Sequence, residues 1–154
     1  MSEFRTAADV FRFAIIREEE AAAAYAALAE DRAAGGLRDM LLELRADELE
    51  HKRRLEALAA SAAAGAGLPA PRDIEDLGLT DALPEPPVSG PATLQDLLIG
   101  AARKEARAAA LYDALAGRAS DPGTRDLFAL LAAQERAHKL RLETAYERHV
   151  LGEN

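Results

Sequence analysis

The sequence predicts an all-α fold: a four-helix bundle of two duplicated helical hairpins joined by one long proline-rich crossover. Three observations predict it. Alanine fills 37 of the 154 positions, which gives high helix propensity with moderate core bulk and favours closely packed helices. Clusters of glycine and proline cut the chain into four long stretches of helical character. A shift of 87 residues then lays the second half of the chain on the first without a gap.

The first helix is expected to begin at Thr6, with Asp9 three residues on in the manner of a capping box. It should run through "EEEAAAAYAALAEDR" to "AAGG" at 33–36, where Gly35 and Gly36 end it. The second runs from about Leu37 to Ala64 and dissolves in "SAAAGAGLPAP". Six of the seven prolines fall between Pro69 and Pro91, so residues 65–92 read as a connection, with room for one helical turn in "RDIEDLGL". The third helix starts at Thr93, again with an aspartate three residues on, Asp96, and reaches Arg118. "SDPG" at 120–123 turns the chain, with Asp121 as N-cap and Pro122 as first residue of a fourth helix that continues to about Leu151. Helices of ~25 residues are about 37 Å long, a span that a connection of about 28 residues covers without full extension. Its prolines make it a semi-rigid strap along the outside of the bundle. The whole chain, 1–154, is read as one domain, with hairpins at about 6–64 and 93–151.

Composition excludes several kinds of chemistry. With no cysteine, disulfides, thiolate metal sites, iron–sulfur clusters and cysteine nucleophiles are absent, and oxygen and imidazole ligands remain. The net charge is −8, from 27 acidic and 19 basic residues, and no basic cluster interleaved with aromatics marks a nucleic-acid surface. The opening "MSEFRTAADVFRFAIIREEE" lacks the apolar core and cleavage pattern of a secretory signal. No stretch reaches the ~18 apolar residues of a membrane span, so a cytoplasmic protein that binds neither nucleic acid nor membrane is expected.

The chain has three histidines, and two stand three residues after a glutamate, in "ELEH" (Glu48, His51) and "ERAH" (Glu135, His138). Sixteen glutamates in 154 residues give a histidine roughly a one-in-ten chance of this neighbour, so two such motifs are roughly a one-in-a-hundred event. They are also in register. Adding 87 takes Thr6 to Thr93, Asp9 to Asp96, Glu18 to Glu105, Tyr25 to Tyr112, Leu28 to Leu115, Leu44 to Leu131, Glu48 to Glu135 and His51 to His138.

Residues i and i+3 share a helix face, so each Glu-x-x-His directs an oxygen and a nitrogen at one point. In an antiparallel hairpin, residues equidistant from the turn share a level. The midpoint of Glu18 and Glu48/His51 falls in or beside "AAGG", and that of Glu105 and Glu135/His138 inside "SDPG". Each hairpin thus brings two glutamates and one histidine to one layer. The run Glu18-Glu19-Glu20 leaves the first ligand ambiguous, but in "RKEAR" only Glu105 is acidic, and the shift pairs it with Glu18. Glu19, Glu20 and Glu50 point elsewhere round their helices and read as solvated charges. Four buried carboxylates without counter-ions are very unfavourable; two divalent ions offset their charge, and oxygen/imidazole ligation suits iron or manganese. Tyr25 and Tyr112 lean back towards this layer and can hydrogen-bond a ligand carboxylate. His149 reads as a cation at a helix C-terminus. Leu41, Leu44, Leu55, Phe128, Leu131 and Leu142 are helix-spaced neighbours of the ligands and belong to the core.

With "REEEAAAAY", "ELEH", "KEARAAALY" and "ERAH" in place, the chain resembles the rubrerythrin branch of the ferritin-like di-iron carboxylate superfamily, over essentially everything outside 65–92. The resemblance implies two iron ions, with manganese or zinc as alternatives. It implies that Glu48 and Glu135 bridge the ions, that Glu18 and Glu105 are terminal carboxylates, and that His51 and His138 each cap one ion. It further implies a redox protein acting on peroxide or O2, by peroxide reduction or ferroxidase activity, in oxidative-stress or iron handling. The contrasting reading is a non-catalytic protein that stores, delivers or senses metal. Two departures stand out. The four-cysteine rubredoxin module of full-length rubrerythrins is missing, so the electron donor is expected to be a separate molecule. The further glutamate common on the third helix is also missing: the positions a turn either side of Glu105 are Ala101, Ala102, Ala108 and Ala109, which leave space above the metals for oxygen or peroxide. As that family often pairs, a homodimer is expected.

Overall fold

Helix punctuation in the sequence sets the elements of the structure, a computed structural model that describes residues 7–61 and 93–151. Four long helices are present: α1 (Ala7–Glu30), α2 (Arg38–Ala59), α3 (Leu94–Arg118) and α4 (Pro122–Tyr146). No strand occurs among the described residues. None of their helices is long and apolar enough to cross a membrane.

The second hairpin follows its sequence signals closely. The Thr93 side chain accepts the Asp96 N–H at 3.2 Å while the Asp96 carboxylate accepts the Thr93 N–H at 3.0 Å, a complete capping box at the start of α3. Asp121 caps α4 by accepting both the N–H (2.9 Å) and the hydroxyl (2.8 Å) of Thr124, with Pro122 just inside the helix. The first hairpin departs from expectation. Its first helix ends at Glu30, before the glycines, because Asp31 is extended and its side chain accepts the Ala33 N–H, starting a separate 3₁₀ turn over Arg32–Leu37. The glycines turn the chain there, Gly35 at φ +45°. The second helix stops at Ala59 and not near Ala64, its end marked by the Ser61 N–H bonding back to the Leu58 carbonyl. The fourth ends at Tyr146 and passes into a π-helical turn over Glu147–Leu151. Thr6, the connection at 65–92 and its one-turn helix lie outside the described residues.

The helices pair as hairpins, α1 with α2 and α3 with α4. Between hairpins, α2 meets α4 at Glu43–Arg141, Asp47–His138 and His51–Gln134, and α1 meets α3 at Glu18–Tyr112 and Tyr25–Glu105. Numbers rise on one helix as they fall on the other, so both cross-hairpin pairs are antiparallel. It follows that α2 and α3 run in the same direction, and that the end of α2 and the start of α3 lie at opposite ends of the bundle.

Two apolar clusters fill the interior, one at each end. One holds Phe11, Leu55, Tyr112, Leu115, Phe128 and Leu131; the other holds Leu98, Leu142, Tyr25, Leu28, Leu41 and Leu44. Written in this order, these residues form six pairs related by 87 positions, so for these pairs the shift exchanges the two ends of the core. Leu41, Leu44, Leu55, Phe128, Leu131 and Leu142 are all fully buried, each contributing about 1.5–3 kcal/mol. Between the clusters lies the polar layer.

Gly35 and Gly36 test the turn separately, since a Cβ meets nothing within 4 Å at either position. Gly35→Ala should lower stability by about 1–3 kcal/mol, because φ +45° is strained for any L residue. Gly36→Ala should be neutral or stabilising by about 0.4–1 kcal/mol. Urea unfolding of the two variants checks this, and equal effects would contradict the turn geometry.

Candidate metal centre

Six side chains meet at the middle of the bundle: Glu18 from α1, Glu48 and His51 from α2, Glu105 from α3, and Glu135 and His138 from α4. Each is only 1–3% exposed. They form two overlapping groups, Glu18/Glu48/His51/Glu135 and Glu48/Glu105/Glu135/His138, in each of which one donor atom per residue lies within 4.8 Å of the others. Glu48 and Glu135 belong to both.

The layer is as symmetric as the core. His51 Nδ1 lies 2.8, 3.5 and 3.8 Å from oxygens of Glu135, Glu18 and Glu48. His138 Nδ1 lies 2.7, 3.6 and 3.9 Å from oxygens of the shifted partners Glu48, Glu105 and Glu135. The two imidazole rings stack with centroids 5.6 Å apart.

The outer atoms of these residues are tied down. The Tyr112 hydroxyl donates to Glu18 Oε1 at 2.5 Å and the Tyr25 hydroxyl donates to Glu105 Oε1. Each tyrosine therefore serves the carboxylate of the opposite hairpin, not the glutamate seven residues before it on its own helix. His138 Nε2 pairs with Asp47 Oδ2 at 3.1 Å, and His51 Nε2 with Gln134 Oε1 at 2.5 Å. Both partners present an acceptor oxygen, so Nε2 is a donor in each ring and Nδ1 faces inward. Asp47 and Gln134 were not anticipated. They too are related by 87 and directly precede the Glu-x-x-His motifs, but their types differ, and each serves the histidine of the other motif across the α2/α4 contact.

The inner atoms make no hydrogen bond. Glu18 Oε2, Glu48 Oε1, His51 Nδ1, Glu105 Oε2, Glu135 Oε1 and His138 Nδ1 are buried and accept or donate no hydrogen bond. The short His51–Glu135 and His138–Glu48 approaches lack the alignment of a hydrogen bond, so these atoms converge on common points without bonding each other. Unsatisfied buried polar groups are rare in folded proteins, and six in one layer demand an explanation. A cation provides it. Two atoms bound at about 2.1 Å to one ion stand about 3.0 Å apart at a right angle and about 3.6 Å apart at 120°, which matches the spacing of these donors. A buried Glu/His cluster of this kind can hold metal ions, and its hard oxygen and imidazole donors suit iron, manganese or zinc.

Glu19, Glu20 and Glu50 are outside the cluster. Glu19 pairs with Lys52 at 3.0 Å, Glu20 is exposed, and hydrogen bonds from Arg53 and then Arg54 hold the Glu50 carboxyl down to about 2. His149 is exposed at the end of the chain's last helical turn.

Proton affinities inside the layer are displaced in a consistent way. Burial, then the neighbouring carboxylates, hold the Glu48 carboxyl far above the usual range. Burial also pushes Glu135 up to about 9, reinforced by Glu105 and Glu18 and only partly opposed by His51. Burial works against a charged His51, but Glu135 and Glu18 outweigh it and push the imidazole up to about 10. Glu105 is lowered, since contacts with His138, Glu135 and Tyr25 overcome its burial. Burial and their glutamate partners keep both tyrosines protonated.

The sign of the pH dependence follows. Without metal, Glu48, Glu135 and His51 bind protons more tightly folded than unfolded. Their contribution is complete below the unfolded values and is lost as pH rises through the folded ones, about 9 for Glu135 and about 10 for His51. Glu105 acts oppositely, but only at acid pH. Chelator-treated protein should therefore melt at progressively lower temperature from about pH 5.5 to 8.5. Metal reverses this, because its ligands must be deprotonated. The rise in melting temperature on adding manganous ion should be larger at about pH 8.5 than at about pH 5.5; an increment that is absent or flat would remove the centre.

No family model, curated protein or solved structure matches the chain.

Proposed function

We propose that the chain is a single-domain di-iron carboxylate redox protein of the rubrerythrin-like, ferritin-like kind, reacting with peroxide or O2 in oxidative-stress or iron handling. In this reading the bundle is two duplicated hairpins joined by the long crossover, and the protein works as a homodimer. One observation carries it: six inward-facing donor atoms without a hydrogen bond, in two overlapping groups that share Glu48 and Glu135. Glu48 and Glu135, members of both groups, would each serve both ions; Glu18 and Glu105, each in one group, would serve one ion apiece, and His51 and His138 would each supply one nitrogen.

Two iron ions held there would supply the electrons that reduce peroxide or O2, restored by an external donor. The chain supplies the geometry. Tyr112 and Tyr25 each hold one oxygen of a terminal carboxylate and leave the other for an ion. Asp47 and Gln134 hold the imidazole tautomers with Nδ1 inward. The flanking apolar clusters keep water from both ends of the layer, which strengthens every charge interaction within it. The phenols of Tyr25 and Tyr112 remain O–H donors throughout the physiological range.

Anaerobic ferrous loading, with elemental analysis and stopped-flow mixing, tests the reading. Oxidation faster with peroxide identifies peroxide reduction, and oxidation faster with O2 identifies ferroxidase activity. Stable binding without either reaction means a storage, delivery or sensing protein. Glu48→Ala and Glu135→Ala should each lose paired occupancy, because each removes a ligand common to both groups. Glu18→Ala and Glu105→Ala should weaken mainly one site, and Glu50→Ala should leave both intact. Glu48→Gln should raise the melting temperature of the metal-free protein, at about 2–4 °C per 1 kcal/mol of repulsion and desolvation relieved, while weakening metal binding. A variant that loses metal and stability together would mark Glu48 as a structural residue.

A further inference from the structure

A cavity of about 270 Å3 lies between α1 and α3, open to solvent on one side and bordering the buried layer on the other. That volume admits a few waters at about 30 Å3 each, or a small ion with waters, and is smaller than sites for drug-sized molecules. Glu18, Glu48 and Glu105 line it, and each contributes one of the buried oxygens that make no hydrogen bond. Apart from Phe13 and charged side chains, the facing helices present Ala21, Ala24 and Ala108 to this cavity. Ala21 and Ala108 are partners under the shift of 87, so both halves leave the same gap.

Besides the three layer carboxylates, the cavity's charged lining is Arg17, Lys104 and Arg107 against the exposed carboxylate of Glu20, and Arg107 already has an interaction of its own. The Arg17 guanidinium is carried over the Phe13 ring, 5.5 Å from its centroid, and Phe13 lines the same cavity. Arg17 and Lys104 are also partners under the shift. The opposite face of the layer, between α2 and α4, is covered by the two imidazoles, with the exposed Asp47 behind His138. Two divalent ions would cancel the four ligand carboxylates, so the charge met by a solute in the α1/α3 cavity is the positive charge of its walls. Charged clefts with low-dielectric walls concentrate ions of opposite sign.

The geometry points to the α1/α3 cavity as the port through which a small anion, of the size of azide or hydroperoxide, reaches the metal pair, drawn in by Arg17 and Lys104. This rests on the metal-centre reading and adds to it a route and a charge preference.

Azide, an anion, and nitric oxide, a neutral molecule of similar size, separate the two. Their association with iron-loaded protein, ferric for azide and ferrous for nitric oxide, is followed by stopped-flow absorption, with iron content measured for every variant. Arg17→Gln/Lys104→Gln should slow azide association about tenfold at low salt and much less at high salt, with nitric oxide unchanged. Ala21→Leu/Ala108→Leu should slow both probes. Both variants should keep the wild-type iron content, since none of these residues is a ligand. Retained iron with unchanged azide rates in both variants overturns the port and leaves the centre standing. A wild-type chain that takes up no iron overturns the centre, and the port with it.

Discussion

Burial of four carboxylates and two imidazoles in one layer is the constraint on which the rest of the structure depends. Desolvating one ion costs several kcal/mol even after relaxation, and the net stability of a whole domain is only about 5–15 kcal/mol. A layer of four ionised carboxylates cannot stand in an apolar bundle without positive charge. Metal-free, the chain meets this with protons, which is why Glu48 and Glu135 are displaced upward and His51 holds its charge. Metal ions held there would take the protons' place. The same site would thus be stabilised by opposite conditions in its two states.

How the site is held explains why it can stay poised. Glu18, Glu105, His51 and His138 each have one atom anchored and one left over: tyrosine holds the carboxylates, and Asp47 or Gln134 holds the imidazoles. Because these anchors come from the opposite hairpin, moving one hairpin against the other would break them on both sides at once. Docking of the hairpins and alignment of the ligands are therefore one event. The apolar clusters at the two ends do the complementary work, fixing the axial position of the layer through fully buried leucines and Phe128.

The approximate twofold relation is broken mainly in polar residues at the surface and edge of the site. In the six-residue layer the partners under the shift are identical and in the six core pairs they are similar in bulk, whereas buried Leu111 and Ala132 correspond to Ala24 and Arg45. Behind the imidazoles, Asp47 corresponds to Gln134, and at the α1/α3 cavity Glu20 corresponds to Arg107. Substitution at such positions changes charge without disturbing packing, so the two halves of the centre are built alike but sit in different fields.

The ligand set was legible in the sequence because helix geometry repeats over three to four residues. Glu48 with His51 and Glu135 with His138 share a face by spacing alone, and the shift of 87 selects Glu18 over Glu19 and Glu20. Thr93/Asp96 and Asp121/Pro122 specify their helix starts because a cap is satisfied within a few residues of chain. Other features depended on contacts distant in sequence. Periodicity placed Tyr25 and Tyr112 near the layer but not on the opposite hairpin's carboxylates, and it carried no sign of Asp47 or Gln134. The alanines beside Glu105 announced free space, yet Ala102 and Ala109 pack in the interior, while Ala108 with Ala21 and Ala24 opens the cavity. The end of α1 at Glu30 was missed because the Asp31 side chain competes for the backbone before the glycines are reached. Local spacing thus determined which side chains meet in the layer. Which atom of each is anchored, which is left facing inward, and which gap opens to solvent were decided by how the two hairpins pack, since those contacts join residues about 80 to 94 positions apart.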